Sequence, residues 1–163
     1  MRRLAESVAA SDVAAEAYRL HGALVCDIAS AILDDPSEVT DVVVEVFACL
    51  GSQEPSVDVA ARRDWLVRET WRRSTSPRPP RGGAGGKPTS PAPTLWSPLL
   101  PVHRQVLALA CIAGWRCADI APVLGADKAD VHRHLRAALV AASRDRRSGC
   151  PPMGGAHERT GPV

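Results

Sequence analysis

The side chains best placed to do chemistry in this chain are cations near its C-terminal end. Lys128, His132 and Arg136 are four residues apart, and Arg133 adjoins His132, so on a helix they share one broad face. Ammonium, imidazole and guanidinium groups donate hydrogen bonds to phosphate oxygens, and a guanidinium also meets a guanine edge with two parallel bonds. That is the chemistry of nucleic-acid binding, not of bond breaking. Arg116, upstream of a short apolar segment, adds a cation able to clamp a sugar–phosphate backbone. Asp127 and Asp130 lie among these residues and offset part of the positive potential; a solvated helix face is the alternative use of the same pattern.

Other chemistries lack their residues. There is no Gly-rich loop ending in Lys-Ser or Lys-Thr, no GxGxxG, no HExxH and no GxSxG, and Gly82–Gly86 has neither a strand before it nor a helix after it. The run His132-Arg133-His134 suggests a metal, yet residues two apart on a helix point about 200° apart, so these two imidazoles do not share an ion. The five cysteines (Cys26, Cys49, Cys111, Cys117, Cys150) are odd in number and contain no CxxC pair, which argues against a disulfide framework or a zinc knuckle and for a reducing cytoplasm. Cys26, Cys49 and Cys111 sit in apolar stretches and are expected to be buried and inert, with Cys117 beside Arg116 the exception. No cofactor, no metal and no enzymatic activity are expected.

The elements that must hold the cations follow from periodicity. Residues 117–142 read as a short helix, a turn at Gly125 and a longer helix: Ile120, Leu124, Val131 and Leu135 face a core, and Ala121 is small where two helices cross. Leu100-Pro101 starts a preceding helix in which Val102, Val106, Leu109 and Ile112 or Ala113 recur up to Gly114. Toward the N-terminus, Val13, Ala17, Leu20, Leu24, Ile28 and Ile32 form a helical stripe ending near Asp34-Asp35-Pro36. A second helix follows, with Ser37 as its cap, Glu38 and Asp41 in its first turn and Val39, Val43, Val46 and Leu50 as its stripe up to Gly51. A third runs from Val57 to about Arg73, with Ala61, Trp65 and Arg68 on one side, and Pro77 closes it. The four tryptophans are expected to pack rather than to stack on bases.

Glycine and proline divide the chain. Of the 26, 12 fall between Pro77 and Pro101 and 7 between Gly149 and Val163. Such segments hold neither a helix nor a central strand, so residues 77–98 are expected to form a flexible linker and residues 148–163 a disordered tail. The flanking segments, 1–76 and 99–147, become two small helical modules, a three-helix N-terminal bundle and a C-terminal helix-turn-helix, in an all-α chain. The first holds 8 Lys and Arg against 13 Asp and Glu, the second 8 against 4, so the two should prefer different partners. An aromatic content of 4% suits helical cores better than a β-sandwich. No stretch is long and apolar enough for a membrane span, and the N-terminus Met1-Arg2-Arg3-Leu4 runs into Glu6 instead of a signal core.

Several of these residues match a known pattern. Leu100-Pro101, Arg104, Val106-Leu107-Ala108-Leu109, Gly114, Ala118-Asp119-Ile120-Ala121, Val123-Leu124-Gly125, Val131 and Arg136-Ala137 are similar in order and spacing to region four of the bacterial RNA polymerase sigma factors of the extracytoplasmic-function group. Asp34-Asp35-Pro36, Asp41, Glu45-Val46-Phe47 and Trp65-Leu66 resemble region two of that family, and the resemblance spans roughly Tyr18 to Ser143. It implies that the C-terminal module binds the upstream promoter element through Arg116, Lys128, His132, Arg133 and Arg136. It also implies that the N-terminal module docks on core RNA polymerase through Asp41, Glu45 and Phe47, with an anti-sigma factor as a further partner.

The chain departs from the family at Val44, where Gln is usual, at Arg72, where Asn usually follows the Trp-Leu pair, and at Ser76-Pro77, where an Asp and a basic helix normally continue. These are promoter-opening positions in the family. Two other expectations therefore stand beside the working sigma factor. One is a plain helix-turn-helix regulator, and the other a degenerate sigma that occupies polymerase or an anti-sigma partner without opening promoters.

Overall fold

The computed structural model describes residues 2–51, 59–77, 96 and 98–148, and among these every regular element is helical. In chain order they are α1 (Arg2–Ile32), α2 (Pro36–Gly51), α3 (Val59–Thr75), α4 (Pro101–Leu107) continued by a π-helical turn (Ala108–Ile112), α5 (Cys117–Leu124) and α6 (Lys128–Ser148). The expected linker, apart from Pro77, Trp96 and Pro98, and the expected tail beyond Ser148 lie outside the described residues.

Helices α1, α2 and α3 surround a first apolar cluster built from Ala17, Val25, Ala29, Val42, Val43, Val46, Phe47, Leu50 and Leu66. The valines of α2 have modest helix propensity, but Val42, Val43 and Val46 are buried, and burying a side chain of that size stabilises by about 1.5–3 kcal/mol, more than the propensity cost. Tyr18 meets Phe47 edge-to-face with centroids 5.2 Å apart. The cap of α2 is Asp35, not Ser37. The Asp35 carboxylate accepts a hydrogen bond from the Ser37 N–H at 2.8 Å, and Pro36 occupies the first helical position, where its missing N–H costs nothing.

A second cluster joins the two halves of the chain. Ile28 of α1 and Val67 of α3 pack with Val106, Leu109, Ala113, Trp115, Ile120, Ala121 and Val131. Helices α1 and α3 are thus apolar on two sides: Val25, Ala29 and Leu66 face the first cluster, and Leu24, Ile28, Ile32, Val67 and Trp71 the second. This explains why a single stripe misplaces Leu20, which is 57% exposed, and leaves out Val25 and Ala29, which are fully buried. It likewise puts Ala61 and Arg68 of α3 on the exposed side.

Polar contacts border this junction. Arg63 donates to the Ala113 carbonyl at 2.8 Å, the Trp115 indole N–H to Asp64 at 3.2 Å, the Trp71 indole N–H to Gln105 at 3.3 Å and Arg104 to Asp34 at 2.6 Å. The Arg68 guanidinium lies 4.9 Å from the Trp115 ring centroid. The π-helical turn prepares this arrangement: Ala113 N–H reaches back five residues to the Ala108 carbonyl, and Gly114 at φ +72° lets the chain turn sharply so that Trp115 folds back onto the cluster. All four tryptophans pack at least partly against apolar neighbours. Cys111, expected to be buried, is exposed on the outer side of the π-helical turn, while Cys26, Cys49 and Cys117 are half-buried.

Candidate nucleic-acid interface

Helices α5 and α6 are joined by a turn whose geometry the local sequence dictates. Gly125 adopts φ +62°, the left-handed conformation, and both its own N–H and that of Ala126 bond to the Ala121 carbonyl, closing the end of α5. A Cβ at Gly125 would meet nothing within 4 Å, so the requirement for glycine is one of backbone and not of space. Two residues on, Asp127 caps α6: its carboxylate accepts the Asp130 N–H at 2.7 Å. The opposite end of α5 is tied by Asp119, which accepts the backbone N–H of Arg116 at 3.2 Å.

Helix α6 is amphipathic, with its apolar anchors on one side and its cations on the other. Val131 and Ala138 are fully buried, Leu135 packs against both clusters of the C-terminal half, and Lys128, His132, Arg133 and Arg136 are exposed on the other side. The structure thus brings those four predicted residues onto one open face. Arg116 is exposed too, at the start of α5. His132 and His134 are divided as the helix period requires, His132 outward and His134 inward and half-buried.

The acidic residues have definite local tasks here. Asp127 is the helix cap, and Asp130 forms an ion pair with Arg133 one turn along. Arg133 is therefore held along the surface of α6, its side chain still 70% exposed, and a phosphate or base edge must displace Asp130 to engage it fully.

The exposed face continues beyond the predicted residues. His132, Arg133, Arg136, Val140 and Arg144 border an open groove of about 500 Å³ along α6, and Ala129, Ala137 and Ala141 keep its floor low. Arg144 and Val140 escaped the sequence reading, although they extend the same helical register from Arg133 and Arg136. Close approach of an extended backbone is possible where the floor is alanine, and the bordering cations supply positive potential.

The three residues assigned to polymerase all lie on α2 and differ in exposure. Phe47 is 7% exposed and belongs to the first cluster, so in this conformation it holds α2 against α1 and leaves the exterior to its neighbours. Asp41 is half-buried, and Glu45 is exposed and bonded to Arg73 at 2.8 Å. Arg73 also bonds Glu69 at 2.7 Å, and Arg72 bonds the same carboxylate at 2.6 Å. The Arg72 hydrogen bond, with help from Arg73, holds the Glu69 carboxyl below its ordinary range although its partial burial works the other way. Helix α3 ends at Thr75, and Pro77 follows in irregular backbone.

No described helix is long and apolar enough to cross a membrane, and among the described residues no three His, Cys, Asp or Glu side chains cluster as metal ligands. No protein-family model, no curated protein and no solved structure matches the chain.

Proposed function

We propose that this protein is a sigma-factor-like transcription initiation protein. In this reading an acidic N-terminal helical module docks on core RNA polymerase, and a basic C-terminal helix-turn-helix, connected through the Pro/Gly-rich linker, binds promoter DNA. It works in the cytoplasm, takes no cofactor and is not itself an enzyme. The observation that carries the reading is α6: its apolar side is fixed by Val131 and Ala138, while Lys128, His132, Arg133 and Arg136 all face solvent. A helix so anchored can enter a major groove, with Arg116 on the flanking backbone.

A second reading is favoured by α3. It stops at Thr75, and Arg72, at an opening position of the resembled family, is engaged with Glu69. Both features suit a degenerate sigma that occupies polymerase or an anti-sigma partner without melting the promoter.

In-vitro transcription with purified core polymerase across a pool of genomic promoter fragments separates these readings. Specific new starts support the initiation factor. Polymerase binding without starts supports the occupancy-only form, and DNA binding without polymerase retention leaves a plain helix-turn-helix regulator.

A further inference from the structure

The half of the histidine run that nucleic-acid binding leaves unused points inward. His134 of α6 faces His103 of α4 across the contact between these helices, with ring centroids 5.8 Å apart and ring planes inclined by 53°. Both rings are half-buried, on neighbouring walls of the same joint. An ion bonded to one nitrogen of each imidazole at about 2.0–2.1 Å would hold the two centroids roughly 4.5–6.3 Å apart, depending on the angle at the metal. The observed centroid separation of 5.8 Å falls inside that range.

We propose that His103 and His134 form a two-imidazole site for a divalent transition-metal ion, tying α4 to α6. Imidazole nitrogen suits zinc, nickel and copper and is a poor ligand for magnesium or calcium. Among the described residues no third His, Cys, Asp or Glu joins the pair, so water completes the coordination and the ion exchanges readily with solvent. Bound there, it fixes α6 against α4 from the side opposite Lys128, His132 and Arg136, and so sets the presentation of that face without contacting it. This inference does not depend on the transcription reading.

Nickel(II) is the suitable probe, because the five cysteines compete for zinc. Nickel(II) chloride is titrated into the untagged, fully reduced full-length chain, followed by calorimetry and by the imidazole proton resonances of the five histidines. The expected result is one saturable site, with paramagnetic broadening of His103 and His134 ahead of His21, His132 and His157. H103Q and H134Q should each weaken binding at least about tenfold, and H132Q should leave it unchanged. Absence of saturable binding, broadening centred on another histidine, or an isotherm unaffected by H103Q or H134Q overturns the proposal. The resonance measurement on the wild-type chain decides the matter even if either variant fails to fold.

Discussion

At the scale of single residues, the proposed interface depends on cations whose neighbours limit them unequally. Arg136 is exposed on the groove, whereas Arg133 is engaged by Asp130. Replacing Arg133 or Arg136 by Ala should weaken binding of a promoter fragment by about 1–3 kcal/mol where the side chain reads a base edge, with helicity unchanged. Asp130→Asn should strengthen binding, because it releases Arg133 and removes a charge that repels phosphate; fluorescence anisotropy at several salt concentrations measures both effects. His21 carries a different prediction. Its Nε2 is buried without a hydrogen-bond partner, and burial first, then Arg63 and Arg62, lowers its pKa below the ordinary 6.5. The folded chain therefore binds fewer protons at this site than the unfolded chain just below pH 6.5, so this contribution to stability is complete above that value and is lost on acidification. Denaturant midpoints measured from pH 7.5 to 5 should fall more for the wild type than for His21→Gln.

The individual elements show how closely local sequence rules hold. Helix α6 begins where Asp127 caps it, and α5 ends where Gly125 turns left-handed. Gly125→Ala should cost about 1–2 kcal/mol through backbone strain alone, since the added methyl meets nothing. A thermal shift without loss of helical content would be the signature; an unchanged melting temperature would mean that the turn relaxes. The start of α2 was legible to within two residues, but its cap was assigned to Ser37 and belongs to Asp35. Both are good caps, and only the observed geometry at Pro36 decides between them. The π-helical turn at Ala108–Ile112 had no signal in the sequence, because its extra residue is stabilised by where Ala113 and Trp115 must land.

For the whole molecule, the second cluster is decisive. Because Ile28 and Val67 share a core with Val106, Leu109 and Trp115, the described N- and C-terminal helices should unfold together. Indole fluorescence and far-ultraviolet circular dichroism are expected to report one coincident transition. Trp115→Ala removes a 9%-exposed ring, its bond to Asp64 and the surface on which Arg68 rests, and should cost about 3–5 kcal/mol. If the halves have independent cores, that substitution will shift only part of the unfolding signal; in a shared core the entire transition moves. By their stripes, segments 1–76 and 99–147 are expected to be modules with cores of their own, and no residue in either segment announces that it packs on the other.

What the sequence determined by itself is whatever depends on neighbours a few residues away. The helical periods, the glycine turn before α6, the outward cations Lys128, His132, Arg133 and Arg136, and the inward Val131 all follow from the 3.6-residue period and from local capping. Tertiary structure decided whatever depends on which helices meet. It buried Phe47, made α1 and α3 apolar on two sides, exposed Cys111 and brought His103 to His134. The physical reason is that burial is roughly proportional to apolar area and indifferent to direction along the chain. A stripe therefore states that a face will be covered, and only the assembled helices determine by what.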